Sequence, residues 1–291
     1  MIDVSIIIVS YNTKKLTLKC IASVKKFVRG VVYEVIVIDN CSSDGSADAI
    51  DKLTKVQLIA NSNNMGFGAA NNQGIKNARG RHILLLNPDT ELVEDSVSIM
   101  ISWMDLNKQV GVSSCRLIYP NGSLQPTGGF FPNIVRMNLW TNFSDDSLLN
   151  PFGSYHPPVY FYNQERVLDW VTGAFLLMRR EVLDDIKGFD EDYFLYVEEV
   201  DLCYRAKKAG WVVHYMPLTS VIHHKGASVT TENMIILEFQ GLKLFYKKHY
   251  SAIEGLLLKV FLIYGCLVRV IVFAIMKPGL SKVYARAITK I

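Results

Sequence analysis

Short apolar runs alternate with amphipathic stretches through the first half of the chain. Val4–Ser10, Glu34–Asp39, Val56–Ala60 and His82–Asn87 are apolar almost throughout, the pattern of strands buried on both faces of a parallel sheet. Between them Thr13–Phe27, Ala47–Leu53 and Gly68–Ala78 carry helical periodicity and read as crossovers. Ser43-Asp44-Gly45-Ser46 supplies side chains that can cap the second of these helices. This β-α-β-α alternation predicts an α/β fold with ligands held at the carboxyl ends of the strands.

Residues Tyr119–Gln164 interrupt the pattern. They hold Pro120, Pro126, Pro132, Pro151, Pro157 and Pro158 among Gly and Asn, which predicts loops and short edge strands over a cleft, or a passive insertion. Order returns at Val167–Arg179, followed by a helix near Glu198–Ala209, strands at Trp211–Tyr215 and Ser220–His223, and a long helix, Glu232–His249. Residues 1–250 thus read as one domain and 251–291 as a hydrophobic, basic helical tail. Within the tail, Leu256–Met276 is apolar except for Lys259 and Arg269. Lys259, Arg269 and Lys277 fall in an arc of roughly 80° at ~100° per residue. Three placements are open: in the plane of a membrane with the basic residues toward anionic headgroups, buried or dimer-forming, or spanning a bilayer with Arg269 near its middle.

Composition narrows the class. Of 291 residues half are hydrophobic and a fifth charged, enough for a packed core. A net charge of +4 without a basic block interleaved with aromatics argues against a nucleic-acid partner. Cys20, Cys41, Cys115, Cys203 and Cys266 are scattered and form no CxxC pair, which favours a reducing cytosol over a disulfide framework. Val4–Val9 lacks a basic region before it and reads as a core strand rather than a signal peptide.

Three groups of carboxylates stand where strands end. Asp39 follows Val35-Ile36-Val37-Ile38 and can accept from a nucleobase imide or a ribose hydroxyl, whereas nearby Asp44 reads as a helix cap. Asp89 follows Leu84-Leu85-Leu86-Asn87-Pro88, a rigid turn that presents an oxygen ligand suited to a hard divalent cation beside a diphosphate. Glu198, Glu199 and Asp201 open a helix beside Tyr193, Phe194 and Tyr196; first-turn acids are common, but an enclosed carboxylate could also serve as a general base for a sugar hydroxyl. His223 and His224 close a short strand, with His223 the stronger candidate metal ligand. The glycines of Gly66–Gly74 do not make a dinucleotide fingerprint, because the first strand-to-helix turn, Ser10-Tyr11-Asn12-Thr13, has none.

The order of Val4–Asn12, Val35–Ser46, Asn64–Gly74, Leu84–Leu92 and Asp169–Arg205 resembles family 2 glycosyltransferases of GT-A fold. Asp169–Phe175 and Gly188–Arg205 are similar to the branch of rhamnosyltransferases that builds bacterial surface polysaccharides of the O-antigen type. The resemblance implies a Rossmann-like mixed sheet flanked by helices and an inverting transferase acting in the cytoplasm at the inner face of the membrane. Its partners would be a nucleotide-sugar donor, dTDP-rhamnose first and UDP-hexoses second, and a glycan or lipid-linked acceptor. It places Ser10, Asn12, Asp39, Asn64, Gly66, Asn87, Trp170 and Gly173 around the donor, and Asp89 and His223 at Mg²⁺ or Mn²⁺. Asn87 stands where the family's metal motif has its first acid. The family's base is the Asp of a Glu-Asp pair; here the pair is Glu198-Glu199, so Glu199 is the expected base, with Glu198 and Asp201 in reserve. A transferase-like scaffold that has lost catalysis is the competing reading.

Overall fold

The computed structural model describes residues 1–142, 155–224 and 231–291. The expected alternation is present: β1 (Val4–Ser10), α1 (Lys14–Phe27), β2 (Tyr33–Asp39), α2 (Ser46–Asp51), β3 (Gln57–Ala60), α3 (Phe67–Asn77) and β4 (His82–Leu86). Next come β5 (Thr90–Leu92), α4 (Ser96–Leu106), β6 (Val110–Ile118), β7 (Leu124–Gln125), β8 (Gly128–Gly129) and α5 (Ile134–Asn142). A 3₁₀ turn at Val159–Asn163 leads to β9 (Arg166–Leu168), β10 (Trp170–Val171), β11 (Phe175–Arg179) and α6 (Arg180–Ile186). The chain continues through α7 (Glu198–Lys208), β12 (Val212–His223), α8 (Thr231–His249), α9 (Ala252–Met276) and α10 (Pro278–Ile288).

The sheet runs β3-β2-β1-β4-β11-β6-β12-β5, with β7 beside β6 and β9 beside β12. β1 to β4 are mutually parallel, whereas β11 enters antiparallel between β4 and β6, so the sheet is mixed. Alternation along each strand separates two cores. Ile7, Ile36, Ile38, Ile83 and Leu85 face α3 and the later helices; Val4, Ile6, Ile8, Val35, Val37, Leu84 and Leu86 face α1 and α4.

Three expectations change. The stretch expected as loops and edge strands contains a helix, α5, whose Met137 is buried in the core; residues 143–154, including Pro151, lie outside the described residues. The two strands expected at Trp211–Tyr215 and Ser220–His223 are one, β12, with its register broken between Tyr215 and Ser220. Of the placements open to the tail, burial holds for one side of α9. Leu258, Leu262 and Cys266 of α9 join the core, and α9 packs against α5, α8 and α10. Arg269 turns inward, donating to the carbonyls of Thr141 (2.8 Å), Gly265 (3.2 Å) and Trp140 (3.3 Å), so it leaves the basic stripe expected to face headgroups.

Gly74 sets how closely α3 lies on the sheet, since a Cβ there would stand 2.6 Å from Ile7 Cγ2 and 2.9 Å from Ile38 Cδ1. Overpacking costs about 1–3 kcal/mol, against a gain of ~1 kcal/mol in helix propensity. Gly74→Ala is therefore expected to lower the urea midpoint; a raised midpoint would show that α3 has room to lift.

Candidate active site

The carboxyl ends of β1, β2 and β4 form one rim. Ser10 pairs with Asp39 at the ends of β1 and β2. Asp39 is buried; its Oδ2 accepts from the Ser42 N–H at 2.9 Å, while Oδ1 is buried without a hydrogen-bond partner among the described residues. An unpaired buried carboxylate oxygen is an acceptor for an incoming N–H or O–H. Asn12, in the left-handed region at φ 53°, ties this rim together: its side chain accepts from the Ser43 N–H at 2.8 Å and its N–H donates to Ser42 at 2.9 Å. The Ser10 hydroxyl differs from expectation. It is fully buried with Thr17 (3.0 Å) and Thr13 (3.3 Å), on the α1 side of the sheet, so it anchors the helix rather than lining a cleft.

Asn64 and Gly66 build the next wall. Asn64 accepts from Asn40 (2.8 Å) and from the Gly66 N–H (2.9 Å). Gly66 adopts φ 84°, and a Cβ there would lie 2.4 Å from the Phe194 carbonyl, so only glycine fits. The adjacent Phe67 N–H donates to that carbonyl at 2.8 Å. This docks α3 onto the loop that delivers the acids of α7.

The Asn87-Pro88-Asp89 turn lies between β4 and β5. The Asn87 N–H donates to the Ala174 carbonyl at 3.1 Å, while its own carbonyl accepts from Thr90. Antiparallel pairing of β5 with β12 sets Thr90 opposite His223, which brings His223 Nε2 to 3.2 Å from Asp89 Oδ1. Gln125 completes the group. Its amide donates to the His223 carbonyl at 3.3 Å, which orients its Oε1 toward His223 Nδ1 at 2.6 Å. A carbonyl oxygen can only accept, so Nδ1 carries the proton and Nε2 is the nitrogen left for Asp89 or a cation. Gln125 went unnoticed in the sequence because β7 is two residues long and has no periodicity. The His224 ring turns to Glu91 at 2.9 Å, while its backbone N–H donates to the Asp89 carbonyl at 2.9 Å. No group of three or more His, Cys, Asp or Glu among the described residues forms a closed metal cage. Asp89 and His223 offer a two-ligand set that a ligand's own oxygens would have to complete.

Glu198 and Glu199 open α7, after Tyr196 (φ 69°) and Val197 (φ 71°). Left-handed backbone at a β-branched residue is strained. The strain is held in place by Gly241 of α8, where a Cβ would meet the Tyr196 carbonyl at 2.7 Å. Each acid has one oxygen, Oε2, buried without a partner among the described residues. Burial pushes both carboxyls up, and the Glu199 charge pushes Glu198 further. On Glu199 the Gly173 backbone and the neighbouring His156 act against that rise, while the Glu238 charge adds to it. The two carboxyls titrate as a pair, and both are held above the ordinary glutamate range. Asp201, expected as a reserve base, is fully buried with its oxygens taken by Arg205 (2.7 Å) and His249 (2.6 Å), so it locks α7 to α8. Trp170 is likewise structural: buried between Tyr155 and His156, it donates its Nε1–H to the Phe130 carbonyl at 3.2 Å. Gly173 sits close under Phe67, whose ring a Cβ would meet at 3.1 Å.

The acid pair makes stability depend on pH. Below the ordinary glutamate value of 4.5, folded and unfolded chains both hold the Glu198 proton. Above it the unfolded chain releases that proton while the folded chain retains it, so stability falls as pH rises toward the elevated folded value. Glu198→Gln is expected to match the wild type in urea unfolding at pH 4 and to exceed it increasingly toward pH 8. A gap that shrank with rising pH would reverse the assignment.

Comparison with known proteins agrees with this architecture. Over 212 residues, 67% of each chain, the sequence is 30% identical to an N-acetylglucosaminyl-diphospho-decaprenol L-rhamnosyltransferase of Mycobacterium tuberculosis. It is 26% identical to the rhamnosyltransferase WbbL of Escherichia coli over 199 residues, 66% of this chain and 73% of that one. Among solved structures, a mannosyltransferase of Pyrobaculum calidifontis in complex with GDP-mannose and Mn²⁺ superposes with a TM-score of 0.58 at 15% identity, covering 99% of this chain and 76% of that one. That likeness establishes the GT-A fold. The sequence model of glycosyl transferase family 2 matches residues 5–186, and the chain belongs to that family.

Proposed function

We propose that this glycosyltransferase moves L-rhamnose from dTDP-rhamnose to a lipid-linked glycan by a single inverting displacement, with Glu199 as the general base. The observation that carries the mechanism is the Glu198–Glu199 pair at the start of α7, two enclosed carboxyls each with an oxygen that has no hydrogen-bond partner among the described residues. An acceptor hydroxyl seated against Glu199 would give up its proton as its oxygen attacks the anomeric carbon. Glu198, protonated, would add no second charge to repel the developing one. Asp39 Oδ1 is the acceptor available to the nucleobase, and Asn87 and the Gly66 loop border the same rim. Asp89 and His223 suit Mg²⁺ or Mn²⁺, which would offset the charge of the departing nucleoside diphosphate. The choice of rhamnose rests on both relatives, and that of a diphospho-lipid acceptor on the Mycobacterium tuberculosis enzyme alone.

The placement of α9 supports association with the inner face of the membrane. It is long and apolar enough to cross a bilayer, with 22% of its most apolar window buried. One face packs on the protein; the other exposes Ile253, Leu256, Val260, Ile263, Leu267, Ile271 and Ile275, spaced three or four apart in a single stripe. A helix committed to the protein along one side and apolar along the other suits the plane of the interface better than a span.

Screening nucleotide sugars with Mg²⁺ or Mn²⁺ tests the reading; metal-dependent turnover is expected first with dTDP-rhamnose. Glu199→Gln is expected to bind donor as the wild type does and to lose about 10²–10⁴-fold in kcat; unchanged turnover would move the base elsewhere. Asp89→Ala should abolish metal-dependent donor binding. Gln125→Leu, which frees the His223 ring, is expected to weaken Mn²⁺ binding in the presence of donor by about 10–100-fold, read by the loss of free-ion EPR signal. Because Glu238 raises the Glu199 carboxyl, Glu238→Gln should shift the acid limb of the kcat profile to lower pH; a shift upward would rule Glu199 out.

A further inference from the structure

Where α8 ends and α9 begins, a groove of about 670 Å³ opens beside the apolar stripe, lined by Lys243, Tyr246, Lys247, Tyr250, Leu256 and Lys259. Three ammonium groups share it. Among the described residues neither Lys247 nor Lys259 has an ion-pair partner, and Lys243 reaches only the Lys290 carbonyl at 3.1 Å. Burial and the Lys259 charge hold Lys243 below the ordinary lysine range. The carboxylate in the first turn of α9, Glu254, is tied into that helix's capping box, accepting from Ser251 at 2.7 Å and 2.9 Å. Tyr246 lines the groove at 1% exposure, and its buried hydroxyl has no hydrogen-bond partner among the described residues. A groove that gathers three ammonium groups and a buried, unpartnered hydroxyl, with the neighbouring Glu254 already engaged, suits a compact anionic acceptor.

We propose that this groove binds the phosphate of an anionic phospholipid headgroup, with the Tyr246 hydroxyl and the three lysines as its donors. The inference rests on the reading of α9 as the membrane-facing helix. Continuity argues for a lipid: Leu256 belongs both to the groove and to the exposed stripe, so a phosphate seated among the lysines places its acyl chains along Val260, Ile263 and Leu267. A second copy of the chain would instead bring the same uncompensated lysines to the contact.

Flotation of the full chain with vesicles of phosphatidylcholine, alone or mixed with phosphatidylglycerol, tests this. The wild type should prefer the anionic vesicles, and the triple variant Lys243→Gln, Lys247→Gln, Lys259→Gln should lose that preference by on the order of 100-fold while retaining weak binding to neutral ones. Tyr246→Phe keeps every charge and the packed ring, and should still lose about 10-fold on anionic vesicles. Unchanged binding in either variant overturns the site, the second by showing that attraction is diffuse. Equal binding of the wild type to both vesicles overturns the groove and leaves α9 at the membrane; binding to neither overturns both. Displacement by inorganic phosphate, against chloride at matched ionic strength, would overturn a lipid as the source. Circular dichroism of each variant guards against misfolding.

Discussion

The antiparallel pairing of β11 with β4 is the constraint on which the site depends. It aligns Leu86 with Phe175 and is carried one step further by the bond from the Asn87 N–H to the Ala174 carbonyl. The parallel strands leave Asp39 and Asp89 at their carboxyl ends, as any βαβ unit leaves its ligand groups. Because β11 runs the other way, its beginning meets the end of β4. Thr172-Gly173-Ala174 therefore arrives beside the Asn87–Asp89 turn, with the Gly173 backbone near enough to Glu199 to oppose the rise of its carboxyl. One ladder thus couples the candidate metal ligand from the first half of the chain to the candidate base from the second. A parallel β11 would have left Gly173 at the opposite end of the strands, beside the start of β4.

What this ladder aligns, the surrounding loops hold under load. Two carboxyls buried side by side oppose folding at neutral pH, and so does the left-handed backbone at Tyr196 and Val197. Neither persists without contacts that outweigh it. Gly66 and Phe67 grip the carbonyl of Phe194, Gly241 packs on that of Tyr196, and Asp201 pins α7 through Arg205 and His249. Asp201 thereby explains why the acid cluster is larger than the chemistry requires.

The first four strands were legible because burial on both faces imposes long apolar runs, and their carboxyl ends pointed to Asp39 and Asp89 directly. Position in three dimensions was less so. Ser10 sits at the right strand end, but side-chain alternation sends its hydroxyl to the α1 face, a parity that the motif alone does not reveal. Gln125 lies in a Pro-rich stretch and gains its role only when β7 pairs with β6 and brings it under His223. Arg269 looked like part of a basic stripe because helical angle says which way a side chain leaves the axis, not which neighbour waits there; the carbonyls of Trp140 and Thr141 claim it. The single strand β12 looked like two because its bulge carries Pro217 where a continuous ladder would need an N–H.

The departure at Glu199, one methylene longer than the aspartate its family resemblance led one to expect, finds its accommodation in what faces it. An extra ~1 Å of reach would let a carboxylate wander, and misplacement on that scale costs ~100-fold in rate. Here the space in front of it is set by Gly173, which has no Cβ to strike Phe67, and by Ala174 beside it, tied to Asn87. Next to it stands Glu198, buried, with an oxygen that has no partner among the described residues. Burial raises both carboxyls, and the Glu199 charge raises Glu198 further, so the enclosure that confines the pair also disfavours its charge. Glu199, the less buried of the two, is the one an incoming hydroxyl can meet, and its added length extends it toward that ligand and away from its neighbour.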